Sequence, residues 1–480
     1  MSAPLETVIG LEVHVQLRTR SKLFSTADVS YGDPPNHHVS AVCLALPGAL
    51  PVLNARAVEL AVRAALVTHC KVHPHSVFAR KHYFYPDLPK AYQISQYEEP
   101  LATGGWLEID AGQGGRRIGI TRIHMEEDAG KSLHESGDPE TQVDLNRAGV
   151  PLVEIVSEPE LRSAEEAGAY LRTLRQLLRW VEASDADMEK GQLRCDANVS
   201  LRPRGSTRLG TRSEIKNLNS FRFVEAAIRA EVERQARVLT QGGAIQQATL
   251  GFDAERGRLF VMRLKENADD YRYFPDPDLI PLQLPEQRID EIRAALPELP
   301  QAREGRFQRE HALSAEDART LVASRALADW YEAAARAHGQ PRSVANWVLR
   351  DVLAALRERD AEIEAVRLAP EDFAALLRLV DAGRVTAKSA RSLLAELLFA
   401  GGDPEAWVRE RGLEAVADSG ALEAAVEAAL AAHPKAVASY AAGDAKSLNF
   451  LMGQVMRASG GKLDPARVRE RLTQRLAGAR

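Results

Sequence analysis

The chain changes its hydrophobic rhythm once. Up to about residue 290 short apolar runs alternate with helical stretches, broken by Gly, Pro and aromatic residues; beyond it the sequence is rich in Ala, Leu, Glu and Arg at helical spacing. Residues 8–17 alternate apolar and polar positions, the period of a half-buried strand. Residues 54–70 open on a capping Asn and then carry apolar side chains at helical spacing. Residues 106–109 and 117–123 flank a Gly-rich turn and predict a hairpin. Residues 151–156 read as a compact apolar strand. Residues 163–182 and 221–239 read as amphipathic helices, the first with a capping box from Ser163 to Glu166. Strands followed by helices, with hairpins among them and no uniform βαβ repeat, predict an α+β domain on a largely antiparallel sheet. In the second regime Pro297, Pro300, Pro341 and Pro370 separate helical stretches, and Gly401-Gly402-Asp403-Pro404 is the strongest linker signal. The expected division is therefore 1–292, 293–402 and 403–480, the last two all-α.

Composition narrows the function classes. A chain of 480 residues with 45% hydrophobic and 27% charged residues is an ordinary globular protein of several domains. A net charge of -5 excludes a general nucleic-acid coater, which would be basic throughout. The last 46 residues run the other way, with nine Lys and Arg against three acids from Lys435 to Arg480. That asymmetry fits a nucleic-acid-facing end, and equally a solvated helix surface. Three cysteines (Cys43, Cys70, Cys195) without CxxC spacing fit a reducing cytoplasm and no disulfide framework. The N-terminal segment reads as a strand, not as a signal peptide, and no apolar run approaches the ~18 residues of a membrane span. A cytoplasmic location with no membrane association is expected.

Several short segments carry candidate chemistry. Glu12 and His14 are two apart on a strand and so share a face, which makes half a metal site or a plain surface pair. Glu126, Glu127 and Asp128 end a strand and run into Gly130-Lys131. Three adjacent acids repel one another unless a cation lies nearby, although a solvated turn tolerates them. Asp144 precedes an Asn-Arg-Ala-Gly-Val-Pro turn and a strand with an inward-facing acid. Asp196 and Glu214 lie in short strands that could reach one sheet face. Residues 80–93 and 269–278 interleave aromatics with Lys and Arg, suited to a polar channel, to base stacking or to packing on a core. No phosphate loop of the GxxxxGK[ST] type, GxGxxG, HExxH or G-x-S-x-G motif occurs. A nucleotide would therefore be held through metal-bridged phosphates on an acidic sheet. Ammonia, if consumed, would come from another chain.

Taken in order, ETVIGLEVHVQL, RKHYFYPDLPKAYQISQ, RIHMEEDAGKS, VDLNRAGVPLVEIVSEPE, LRCDANVSLRP, EIKNLNSF and DYRYFPDPDL resemble the B-type subunits of the glutamyl/aspartyl-tRNA amidotransferase family, and KSLNFLMGQVMRASGGKLDP resembles their C-terminal module. The resemblance runs nearly end to end. It implies a cradle-like catalytic domain of the glutamine synthetase and guanidino kinase type, a helical domain and a small tRNA-contacting tail. The implied reaction uses ATP and Mg2+ to phosphorylate the side-chain carboxylate of a tRNA mischarged with Glu or Asp. Ammonia from a partner amidase subunit then displaces phosphate, and a small third subunit clamps the heterotrimer.

Carried over by position, Glu12, His14, Glu126 and Glu127 are the implied metal set, joined by Asp144, Asp196 and Glu214 as further ligands. Glu126, Glu127 and Lys81 are the implied catalytic groups. Lys81, Tyr83, Tyr85 and Arg272 would line an ammonia path or steady the activated carboxylate, and Lys435, Lys446, Arg457 and Lys462 would meet the tRNA. Where some family members cluster cysteines suited to zinc, Cys43 stands alone, so no zinc is expected. A ligase for a free amino acid would share the acidic sheet but has no use for a basic tail. An RNA-binding adaptor would use the tail and leave the acids as surface charge.

Overall fold

The computed structural model describes residues 4–112, 114–134, 140–264, 271–414, 419–459, 463 and 465–477. The chain forms two compact units, Met1–Leu299 and Pro300–Arg480. The first holds strands β1 (Leu5–Gln16), β2 (Lys71–Val72), β3 (His75–Ser76), β4 (Phe78–His82), β5 (Tyr92–Gln96), β6 (Ala102–Asp110), β7 (Gly115–Glu127) and β8 (Lys131–His134). It continues with β9 (Thr141–Asp144), β10 (Pro151–Ser157), β11 (Leu193–Pro203), β12 (Ser213–Leu218), β13 (Ala248–Asp253), β14 (Arg258–Leu264), β15 (Phe274–Pro275) and β16 (Leu282–Gln283). Its principal helices are α1 (Ala55–Val67), α2 (Ala164–Trp180) and α3 (Phe221–Thr240).

The helices begin where the side chains can cap them. The Asn54 carboxamide accepts from the amides of Arg56 and Ala57, and the Ser163 and Ser220 hydroxyls cap α2 and α3. The capping box on α2 is displaced by one residue. The Glu166 carboxylate accepts from the Arg162 amide at 2.7 Å rather than from that of Ser163, and it also accepts from Arg116.

Nine strands form one sheet in the order β14-β13-β12-β11-β1-β10-β7-β6-β2. All its pairings are antiparallel except β12 with β13. The central strand β1 shows why the sheet has two different faces. Alternation sends Ile9, Leu11, Val13 and Val15 to one side, where all are buried. On β11, Cys195, Ala197 and Val199 join them as register partners. This side carries the helices: the Gln235 carboxamide of α3 donates to the Val199 carbonyl at 2.9 Å. Glu12 and His14 go to the opposite side. The expected antiparallel α+β architecture is thus present, with a polar sheet face left free of these helices.

The small sheet β15-β4-β5 lies at the end of β7, where the Ile94 amide donates to Glu127 and the Ser95 hydroxyl to Glu126.

The second unit is helical. Four of its helices begin at prolines flagged by the sequence or its linker signal: Pro300–Glu310, Pro341–Trp347, Pro370–Asp381 and Pro404–Glu410 each carry Pro in the first turn, where its missing N–H costs nothing. The fully buried Tyr331, Phe307 and Phe373 anchor the first part of this unit. The turn at Gly401 and Gly402 takes positive φ at both glycines, and Asp403 caps the helix that follows. That helix packs back on Pro370–Asp381. The last four helices, Ser419–Ala432, Pro434–Ala441, Lys446–Ala458 and Pro465–Ala477, close over their own core of Leu422, Val426, Leu451, Val455, Val468 and Leu472. Among the described residues no helix is long and apolar enough to cross a membrane.

Candidate functional site

The antiparallel register of the central strands gathers the site. His124 of β7 faces Glu154 of β10, Glu154 faces His14 of β1, and His14 faces Arg194 of β11. One row of the polar face therefore reads imidazole, carboxylate, imidazole, guanidinium. Glu126 stands two residues beyond His124 on the same side. His14 Nε2 lies 3.6 Å from Glu126 Oε1 and 3.5 Å from Glu154 Oε2. The ligating atoms of His14, Glu126 and Glu154 fall within 4.8 Å of one another. A divalent cation with bonds of about 2.1–2.4 Å can be held at such a point.

The donor set fits a divalent cation: two carboxylate oxygens converge with one imidazole nitrogen on the polar sheet face. Without a cation their charge is balanced by protons. Burial disfavours a charged His14, but Glu154 and Glu126 outweigh it and raise its pKa to about 9. Burial likewise opposes charge on His124, which Glu154 and Glu126 raise to about 8. For Glu154, burial pushes the carboxyl up, yet His124 and His14 bring it well below the ordinary range. For Glu126 burial is again offset, first by the His124 hydrogen bond and then by His14 and Lys81.

Lys81 arrives from β4. Burial would discharge its ammonium, but Glu126 and then Tyr273 and Glu154 hold it protonated, and its Nζ sits 4.9 Å above the Tyr271 ring. A permanent cation is thereby aimed at the acidic cluster from outside the sheet.

A second group lies along the same face. Glu12 and Asp196 are register partners, and Glu12 accepts from Asn198 at 2.9 Å. Burial, then Glu154, Glu214 and Asp196, raise the Glu12 pKa. Lys216 sits between the other two acids, 3.0 Å from Asp196 and 2.8 Å from Glu214. Thus Glu12, Asp196 and Glu214 are neighbours, but a lysine already neutralises two of them.

The remaining residues singled out in the sequence go elsewhere. Glu127, on the opposite parity of β7, points away from Glu126 and is ion-paired with the buried Lys90. The acid that joins His14 and Glu126 is Glu154, while Glu12 stands in the second group and Glu127 outside both. Asp144 shapes a turn, accepting from the amides of Asn36 and Asn146 at 3.1 and 2.9 Å. The rings of Tyr83 and Tyr85 lie 4.8 Å apart, and burial with the nearby Asp87 pushes the Tyr83 phenol up to about 12. Arg272 takes a left-handed φ of 45° and lines a cavity of about 410 Å3 with Tyr97 and Tyr273.

The loop after β7 is tied down tightly. Asp128 pairs with Arg194 at 2.9 Å and Arg147 at 3.4 Å, and Arg147 also donates to the carbonyls of Ala129 and Gly130. Gly130 is required here, since a Cβ would meet the Asp144 carbonyl at 2.6 Å and that of Asp87 at 2.9 Å. Lys131, Asp144, Arg147, Lys190 and Arg194 line a cavity of about 540 Å3, which adjoins the polar face through Arg194.

Cys43 is buried and single. Burial opposes its ionisation, yet the Ser40 hydroxyl and the Lys22 ammonium, 3.4 Å from Sγ, bring its pKa below the usual value. No other cysteine stands with it among these contacts.

In the tail, Lys435, Lys446 and Arg457 are exposed, the last two on one helix. Lys462 lies outside the described residues. Arg471 and Arg475 pair with Glu423, and Arg475 with Glu427, so helix Ser419–Ala432 neutralises part of the basic excess counted beyond Lys435.

Residues 7–290 match the family model described as the GatB/GatE catalytic domain, and residues 329–476 match the GatB domain. The B-type subunit of the aspartyl/glutamyl-tRNA(Asn/Gln) amidotransferase of Nitratidesulfovibrio vulgaris (strain DP4) is 52% identical over 474 residues, covering 99% of this chain and 100% of the relative. The corresponding subunits of Persephonella marina and Carboxydothermus hydrogenoformans are 50% and 48% identical, each covering 98% of this chain and 99% of the relative. With matches of that extent over both the sheet that carries the His14, Glu126 and Glu154 cluster and the helical unit, the chain belongs to the GatB family, the B-type subunits of the aspartyl/glutamyl-tRNA(Asn/Gln) amidotransferases.

Proposed function

We propose that this chain is the subunit that activates the side-chain carboxylate of Glu-tRNA(Gln) or Asp-tRNA(Asn) at the expense of ATP, working in the cytoplasm with an amidase subunit and a small clamp subunit. The observation that carries the reading is the convergence of His14, Glu126 and Glu154 on an open sheet face, with Lys81 held as a cation toward them. The polar sheet with helices on its other face is compatible with a cradle of the glutamine synthetase and guanidino kinase type.

A carboxylate resists ammonia because its oxygen leaves poorly. In the proposed sequence the carboxylate oxygen attacks the γ-phosphorus of ATP and ADP departs. Ammonia then adds to the acyl carbon, phosphate leaves with the C–O bond electrons, and the nitrogen loses a proton to give the amide. Mg2+ held by His14, Glu126 and Glu154 would neutralise phosphate charge during transfer. The protein's own contributions are positional and electrostatic. Lys81 offers a fixed positive charge to the anionic carboxylate or phosphoryl oxygens. Arg194, Arg147, Lys131 and Lys190 make the adjoining cavity suited to a polyphosphate. Glu12, Asp196 and Glu214 add negative charge that Lys216 balances in part. Tyr83, Tyr85 and Arg272 remain candidates for the route of ammonia. The exposed Lys435, Lys446 and Arg457, with Lys462 in the adjoining segment, form the proposed tRNA contact.

The test is reconstitution with the two partner subunits, mischarged Glu-tRNA and Asp-tRNA, ATP, Mg2+ and glutamine. Amidated aminoacyl-tRNA that disappears without ATP or without this chain supports the reading. Amidation of free glutamate without tRNA, or tRNA binding with no ATP-dependent product, overturns it.

A further inference from the structure

Behind the His14, Glu126 and Glu154 cluster stands a second histidine, set deeper than the first. His124 is 4% exposed, whereas the His14 side chain is 23% exposed. Its Nε2 lies 3.1 Å from Glu154 Oε2 and 3.7 Å from Glu126 Oε2. The two imidazoles thus grip the same pair of carboxylates from opposite sides. Glu126 shows the division of labour most clearly. Its Oε2 is turned toward His124 and accepts from the Ser95 hydroxyl at 3.2 Å, leaving Oε1 turned toward His14.

The other nitrogen of His124 settles what the ring is for. Nδ1 is buried and has no hydrogen-bond partner among the described residues. An orphaned buried polar atom carries a desolvation cost that an apolar side chain would avoid. A ring that merely filled space would be Leu or Phe. It is the other nitrogen, Nε2, that faces the carboxylates.

We infer that His124 is a positioning residue for the cation site: its Nε2–H holds Glu154 and, at longer range, Glu126 in the orientation that presents their oxygens beside His14. This rests on reading the cluster as a divalent-cation site. Carboxylates left without a fixed partner would rotate and repel each other. Interactions of this kind, one step removed from the ligands, are worth about 10- to 100-fold in metal affinity. Ser95 supports Glu126, whereas Glu154 has the imidazoles beside it, His124 at 3.1 Å and His14 at 3.5 Å, of which His14 is the one a cation would claim.

The experiment is a Mn2+ titration of the full chain, with free Mn2+ read by electron paramagnetic resonance, on the wild type, His124→Leu, His124→Gln and His14→Ala. Thermal unfolding in EDTA is measured on the same samples. The Gln carboxamide can place an N–H near the position of Nε2, whereas Leu fills the space without donating. The expected result is Mn2+ binding weakened about 10- to 100-fold in His124→Leu and restored most of the way in His124→Gln, with the two variants unfolding at similar temperatures in EDTA, both below wild type because each removes the imidazolium that balances Glu154. Unchanged affinity in His124→Leu overturns the inference. Equal weakening in both variants also overturns it, since that pattern is loss of packing. A wild-type chain with no saturable site, or a site that His14→Ala leaves intact, defeats the cation reading itself and this inference with it.

Discussion

Lys216 and Asp196 form a half-buried ion pair, Nζ to Oδ2 at 3.0 Å, on the sheet face that also carries the His14 cluster. The same ammonium touches Glu214 and is held strongly protonated; burial acts against its charge, and Asp196 and Glu214 more than compensate. A protein cation thus occupies the place between two acids where the sequence suggested a metal. Replacing it leaves Asp196, Glu214 and Glu12 facing one another without relief. Lys216→Met is therefore expected to destabilise the chain by about 1–3 kcal/mol, between the values for exposed and for buried pairs. Millimolar Mg2+ should return part of that loss by filling the vacated position. Urea unfolding with and without Mg2+ checks this, and a variant as stable as wild type in EDTA would mean the pair is ornamental.

Glu126 and Glu127 adjoin in sequence and differ in task. Glu126 faces His14, while Glu127 is engaged by Lys90 and the Ile94 amide. Glu154→Gln is expected to lower ATP-dependent amidation by about 100- to 1000-fold even in the folded fraction, and to cost stability as well, because it removes the carboxylate that charges His14 and His124. Glu127→Gln should spare the chemistry. It leaves Lys90 buried without its counter-ion, costing about 3 kcal/mol of stability, with activity preserved in whatever fraction stays folded. Activity assays paired with urea curves separate the two. A Glu127 variant that is stable but inactive would restore it to the metal set.

That exchange of Glu127 for Glu154 shows what the sequence could and could not yield. The strand periods of β1 and β10, the caps at Asn54 and Ser163 and the helical second half were all legible, because each depends on local spacing. Choosing between adjacent acids needs strand parity and register together. The parity was in fact available: His124 and Glu126 share a face that Glu127 does not, and Glu154 alternates with buried apolar residues on a strand. What was missing was the register that sets Glu154 between His124 and His14, since pairing with strands about 30 and 140 residues away leaves no local trace. Lys216 was hidden for the same reason. Its role becomes visible only once β11 and β12 are side by side.

The protonation of His14 sets a pH dependence in the metal-free protein. Its pKa rises from 6.5 to about 9 on folding. A raised histidine contributes stability that is fully present below the unfolded value and is lost as pH climbs through the folded one. In EDTA the chain should therefore lose stability between about pH 6.5 and 9, on the order of 3 kcal/mol. Cations need the neutral imidazole, so Mg2+ should bind more tightly across the same window and release protons as it does. Saturating Mg2+ is thus expected to flatten the profile. Thermal unfolding from pH 6 to 9.5, with EDTA and with Mg2+, tests both signs at once; a flat EDTA profile would deny His14 its proton.

The basic tail is not uniformly available to an anionic partner. Arg471 and Arg475 are engaged by Glu423 and Glu427, whereas Lys446 and Arg457 are exposed at the two ends of one helix. Charge reversal should therefore act differently at the two places. Lys446→Glu and Arg457→Glu are expected to weaken tRNA binding and each to reduce the slope of log affinity against log salt by about 1, as follows when one phosphate fewer is neutralised. Arg475→Glu sets three acids together against the tail's small core of Leu422, Val426 and Leu472, so it should lower the unfolding temperature. Its salt slope should stay near that of wild type in the folded fraction. Binding isotherms at several salt concentrations decide the matter. If Arg475→Glu flattens the slope as much as Lys446→Glu does, the paired arginines exchange their acids for phosphates on binding, and the tRNA-facing surface extends across helix Pro465–Ala477.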